Sequence, residues 1–188
     1  KMPKRGYGDM LTGGSRDVNP QFLSFNAATS AADTTTTTTQ ALPIQRLPTM
    51  GRSQVMEILQ VWFERPALPA IASATEVVDN MIIYLTTKSF GTTAISGIGG
   101  EPTIFAFDNF SSRGAFTAAG TYKDFEPRVA TLNLTDGAGH GIIIATDNIF
   151  AQVQSAGIGA VITYGVKVMY RMKNVSLTEY IGVVQSQQ

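Results

Sequence analysis

From about Gly51 onward, runs rich in Ile, Val, Thr and aromatic residues alternate with clusters of Gly, Pro, Asp and Asn. Seven runs have the length and β-branched content of strands: Asn80–Lys88, Pro102–Phe110, Arg128–Thr135, Gly141–Thr146, Ile149–Gln154, Ala160–Lys173 and Thr178–Val184. Alternation is clearest in Ala160–Lys173. There Ile162, Tyr164, Val166, Val168, Tyr170 and Met172 fall on one face, and Thr163, Gly165, Lys167, Met169, Arg171 and Lys173 on the other.

Ser53–Glu64 is ambiguous. As a helix it places Gln54, Glu57, Gln60 and Glu64 on one face and Val55, Ile58, Leu59 and Trp62 on another. As a strand it opposes Val55, Glu57, Leu59, Val61 and Phe63 to Met56, Ile58, Gln60, Trp62 and Glu64. Neither period wins locally, but every other regular segment is β-like, so a strand is the consistent choice. The expected fold is then all-β, a single eight-stranded antiparallel jelly roll. Asp136-Gly137, Asp79-Asn80, Asp108-Asn109 and Asp147-Asn148 stand at the edges of runs and read as turns, because a short polar side chain there bonds the backbone. No loop has the dense oxygen ligands of an EF-hand.

The first fifty residues differ from the rest. Lys1, Lys4, Arg5 and Arg16 stand among glycines, followed by alanines and the run Thr34–Thr39. Without an apolar period, such a segment buries too little surface to offset its ordering entropy. It is expected to be a flexible basic arm over residues 1–50 that contributes no core strand, with Phe22, Leu23 and Phe25 as docking points and residues 51–188 as the domain. Lys1 stands ahead of Met2, as expected of a chain that starts inside a longer natural product.

Composition supports the β reading and narrows the function. Thr, Ile and Val number 22, 15 and 13, against 10 Leu. Charged residues make up 15 % of the chain, against roughly 25 % in soluble domains, so some surface is expected to be covered by partners. The 14 basic and 14 acidic residues cancel, which leaves only regional patches for nucleic acid. Cysteine is absent, excluding disulfides, thiolate zinc sites, iron–sulfur clusters and cysteine nucleophiles. No apolar run approaches the roughly 20 residues of a membrane span, and a signal peptide's apolar core is missing, so a soluble protein with no membrane partner is expected. The sequons at Asn109, Asn133 and Asn174 then carry no weight.

Candidate chemistry is sparse. His140, the one histidine, sits in Asp136-Gly137-Ala138-Gly139-His140-Gly141, which is followed by three isoleucines rather than a phosphate-binding helix. It reads as a hairpin turn. Gly97, Gly99 and Gly100 lack a P-loop lysine, and Asp124 and Glu126 beside Pro127 read as solvated loop acids. No catalytic site, metal site or cofactor is expected, and the chain is not read as an enzyme. Trp62, Phe63, Phe110, Phe116, Tyr122 and Phe125 fit a sugar platform, a subunit contact or the core equally well. The basic stripe Lys167, Arg171 and Lys173 is the best functional feature, since no acid lies between Asp147 and Glu179 to neutralise it locally. Together with Lys1, Lys4, Arg5 and Arg16 it makes a candidate site for nucleic-acid phosphates.

A basic, low-complexity start, a charge-poor eight-stranded domain and no catalytic groups together resemble the layout of a small viral capsid protein. The start Met2-Pro3-Lys4-Arg5-Gly6-Tyr7-Gly8 and the ending Tyr170-Arg171-Met172-Lys173-Asn174-Val175-Ser176-Leu177-Thr178-Glu179-Tyr180-Ile181 resemble capsid proteins of circular, Rep-encoding single-stranded DNA viruses. That resemblance implies a jelly-roll subunit in an icosahedral shell of about sixty copies of itself with T=1 symmetry. It also implies single-stranded DNA inside, a host receptor outside, and localisation to the virion and the host nucleus. Members of that family commonly start with a long arginine-rich arm, which Lys1, Lys4, Arg5 and Arg16 do not make. A jelly-roll glycan-binding or adhesin module is the alternative, with a hydrolase using His140 the more remote one.

Overall fold

The computed structural model describes residues 19–44, 52–66, 77–99, 101–117, 120–123 and 129–187. Among the described residues, ten strands and one helix follow in order: β1 (Gln21–Ala28), β2 (Thr35–Ala41), β3 (Arg52–Glu64), β4 (Val77–Thr86), β5 (Ile104–Thr117), β6 (Gly120–Lys123), β7 (Val129–Asn133), β8 (Ile142–Ile144), β9 (Asn148–Ala156), β10 (Thr163–Ser176) and α1 (Leu177–Ser186). They form two antiparallel sheets. One runs β1-β10-β3, with β7 and β8 end to end along the far edge of β3, and the other runs β2-β9-β4-β5-β6. Taking β7 and β8 as two pieces of one interrupted strand leaves a four-on-four jelly roll, with β6 added at an edge.

The inner faces are apolar. Met56, Ile58, Val61 and Phe63 of β3 and Tyr164, Val166, Val168 and Tyr170 of β10 meet Met81, Ile83 and Leu85 of β4 and Ile149, Ala151 and Val153 of β9. In β3 the inward positions change from even to odd numbers, and a bulge is the cause. Ile58 pairs with Tyr170 and Gln60 with Met169, so Leu59 has no partner across β10 and shifts the phase by one. A second, smaller core on the outer side gathers Val55, Ala145 and Val175 under Tyr180, Val183 and Val184 of α1. Residues 55–59 of β3 are therefore buried on both faces, which is why Ser53–Glu64 shows neither period cleanly.

Three expectations are corrected. Thr178–Val184 lies in a helix instead of a strand: Ser176 accepts from Glu179 N–H, and the Glu179 carboxylate reaches back to Ser176 N–H. This capping box starts a helix whose Tyr180, Val183 and Val184 share one half-buried side.

The arm expected over residues 1–50 holds two strands within it. In β1, Leu23, Phe25 and Ala27 turn towards the core, and β2 pairs its threonines with β9 from Thr35 to Ala41. Threonine is β-branched and polar, which suits an edge strand. Both strands are edges, so the alternation that betrays a half-buried strand is weak in one and masked by the repeated residue in the other.

Asp79-Asn80 and Asp108-Asn109 lie inside β4 and β5 rather than in turns. Both aspartates are buried, and Asp108 is kept there by an ion pair with Arg65, which follows β3. Asp136-Gly137 and Asp147 do lie in turn and bend segments. Asp124, Phe125, Glu126, Pro127 and Gly100 fall outside the described residues.

Candidate nucleic-acid interface

Period-two alternation and antiparallel register place the candidate side chains of β10 on the outer face of the first sheet. In one row across the strands stand Asn26, Gly165, Glu64 and Val129, and in the next Ser24, Lys167, Trp62 and Thr131. A third row carries Phe22, Met169, Gln60 and Asn133. Beyond them come Arg171 opposite Glu57 and Lys173 opposite Val55, where α1 begins to cover the sheet.

The basic stripe is one in sequence but splits in space. Arg171 donates from Nε to Glu57 Oε2 at 2.5 Å and from Nη2 to the Gly139 carbonyl at 3.2 Å. Glu57 is fully buried, and its other oxygen accepts Gly141 N–H at 3.0 Å. Burial pushes the Glu57 carboxyl up, but the Arg171 bond, the Gly141 N–H and the charges of Arg171 and Lys173 outweigh it and hold the group below the usual carboxylate range. The expectation that no acid neutralises the stripe therefore fails for Arg171. Its acid comes from β3, 114 positions away in sequence. Lys173 lies close enough to Glu57 and Glu179 to favour the charged form of both.

Lys167 differs from both. It is exposed, and its ammonium lies 4.6 Å above the centre of the Phe22 ring. Phe22 in turn packs against Trp62, with ring centres 6.1 Å apart and planes tilted by 45°. Phe63 points the other way into the core, so the sequence pair Trp62-Phe63 divides between surface and interior. Beside the two rings a groove of about 530 Å³ opens, lined by Ser24, Asn26, Trp62, Glu64, Val129, Gly165 and Lys167. Sequence reasoning noted Trp62 and Lys167 separately and missed the groove. The signal that points to it is Gly165, a glycine in the middle of a strong strand pattern.

His140 belongs to a turn that bonds to itself. Asp136 accepts N–H bonds from Ala138 and His140 through Oδ1, at 2.9 and 2.8 Å, and its Oδ2 lies 3.2 Å from His140 Nδ1. The His140 N–H, followed by the side-chain and Ala138 contacts, draws the Asp136 carboxyl below its ordinary range. Among the described residues, no group of three His, Asp or Glu side chains is placed to hold a metal ion. Lys1, Lys4, Arg5 and Arg16 lie outside the described residues.

No protein-family model and no curated protein matches the sequence. Among solved structures, the chain is similar to the VP1 protein of Trichodysplasia spinulosa-associated polyomavirus in complex with sialylated glycooligomers, at 10 % identity over 84 % of this chain and 95 % of that one, with a TM-score of 0.47. It is similar to apo New Jersey polyomavirus VP1 at 10 % identity, over 84 % and 99 % of the two chains, with a TM-score of 0.44. For Merkel cell polyomavirus VP1 in complex with disialyllactose the values are 10 %, 82 %, 95 % and 0.46. The jelly-roll assignment itself rests on the order and pairing of this chain's own strands.

Proposed function

We propose that this chain is a structural capsid subunit that assembles into a closed shell around single-stranded nucleic acid. One observation carries the reading: a neutral, charge-poor jelly roll leaves large apolar side chains exposed on both sheets and on its helix. Phe22, Val78, Val129, Val161, Leu177 and Ile181 are each about half exposed or more. An isolated soluble domain tolerates single exposed apolar residues, but so many with so little charge favour repeated burial against copies of itself. The resemblance of the start and the ending to capsid proteins of circular single-stranded DNA viruses supports a viral shell, with DNA as the contents and the virion and host nucleus as its places.

Phosphate contact is proposed for Lys167 and Lys173, with Lys1, Lys4, Arg5 and Arg16 adding to the same field. Arg171 is assigned a different task, because its guanidinium neutralises a buried carboxylate. The test is light scattering with negative-stain electron microscopy on the purified protein. Megadalton-scale closed particles are expected, of about sixty copies if the shell is the smallest icosahedral one. Only monomer or dimer across salt and pH would overturn the proposal, and a small oligomer with saturable sugar binding would favour a glycan-binding module.

A further inference from the structure

Gly165 sits in the interior of β10, where glycine weakens a strand, and its backbone is not in the left-handed region that would call for glycine. Its missing side chain is therefore the feature to explain. A Cβ there would come 2.9 Å from Glu64 Oε2 and 3.2 Å from Glu64 Cβ, so the absent side chain leaves room for Glu64 to lie across the glycine, and a larger residue would push the Glu64 side chain out into the groove. Around it stand the amide of Asn26 and the carboxylate of Glu64, with the Trp62 ring and Lys167 in the next row.

We infer that this groove holds one base of the single-stranded nucleic acid, stacked on Trp62 beside the Glu64 carboxylate, with Lys167 meeting the adjoining phosphate. The inference rests on the nucleic-acid part of the proposed function and adds the residue-level site. Stacking on an aromatic side chain tolerates any base. Among the described residues Lys167 has the Phe22 ring as partner and no carboxylate. A phosphate supplies the missing anion, whereas a neutral sugar does not. Glu64 accepts hydrogen bonds only, so it favours bases with an exocyclic amino group, above all cytosine, over thymine.

Trp62 is the chain's one tryptophan, so its emission reports from the site alone. The full chain is titrated with oligodeoxycytidylate and oligothymidylate of about ten nucleotides, with binding followed by both Trp62 fluorescence and the anisotropy of a labelled strand. Saturable quenching is expected, stronger with the cytidylate and weakening steeply with salt. Gly165→Val and Lys167→Ser should each weaken binding about tenfold, with thermal melts confirming that the variants fold; should Gly165→Val not fold, the Lys167→Ser result decides. Binding seen by anisotropy with Trp62 emission unchanged would overturn the groove and leave the nucleic-acid reading standing. No binding by either measure would overturn both. Quenching by maltotriose without any by the oligonucleotides would assign the groove to sugar and overturn the inference.

Discussion

Arg65 and Asp108 tie the two sheets together by a two-point ion pair, Nε to Oδ2 at 2.8 Å and Nη2 to Oδ1 at 2.6 Å. Arg65 follows β3 of the first sheet and Asp108 lies in β5 of the second, with the guanidinium 4.9 Å above the Phe110 ring. The carboxylate partner holds the Arg65 guanidinium even more firmly protonated than usual. Tyr164 lies beside the pair, and burial drives its hydroxyl strongly towards the neutral form. Breaking a buried pair from one side leaves an uncompensated charge. Asp108→Ala should therefore lower stability by about 3 kcal/mol, and the joint change to Arg65→Met and Asp108→Leu should recover part of that loss. Denaturant melts of the two variants check this; equal losses would mean the pair is not the cause.

Gly141 is required by contact, not by conformation. A Cβ at this position would run into the Ile58 carbonyl oxygen and press on Leu59, where β3 bulges. The same residue donates the N–H that Glu57 accepts. Gly141→Ala should cost about 1–3 kcal/mol through overpacking. Gly97→Ala, in open space, should leave the melting temperature nearly unchanged.

The buried Glu57 gives the protein an acid-sensitive latch. Its carboxyl pKa is lower in the folded chain than the ordinary 4.5, so its stabilising contribution is complete above that value. It is lost as pH falls through the lowered folded value. Stability measured from pH 7 down to about pH 3 should drop for the natural chain, and Glu57→Gln should start lower at pH 7 and fall less steeply. Identical slopes would assign the acid sensitivity to other carboxylates.

How much of this was legible depended on whether the signal was local. The faces of β10 follow from alternation alone, because its inner residues Tyr164, Val166, Val168 and Tyr170 have no bulge among them on their own strand. For β3 the same rule fails at Leu59, where the bulge exchanges the faces, and at Val55, which α1 covers from outside. The helix itself was hidden by its β-branched content, although Ser176 and Glu179 spelled a capping box. Asp108 looked like a turn residue because its cation is 43 positions away. The groove needs register: nothing in the sequence says that Asn26, Gly165 and Glu64 share a row.

The strands in residues 21–41 make the amino-terminal segment the sharpest test of the fold. Deletion of Lys1–Thr39 removes β1 and most of β2, and with them eight pairings to β10 and five of the seven to β9. It also uncovers Tyr164, Val166 and Val168, against which Leu23, Phe25 and Ala27 pack. Side-chain ties go as well: Tyr170 to Gln21 at 3.0 Å, Ile162 N–H to Thr29 at 3.1 Å and Ile158 N–H to Asp33 at 2.8 Å. Exposing three or more core side chains forfeits about 1.5–3 kcal/mol each, and a domain has only about 5–15 kcal/mol in total. The truncated chain should therefore show no cooperative thermal melt, while deletion of Lys1–Val18 spares every pairing named above and should keep one. A cooperative melt after removal of Lys1–Thr39 would mean that β10 and β9 hold their sheets without these edges.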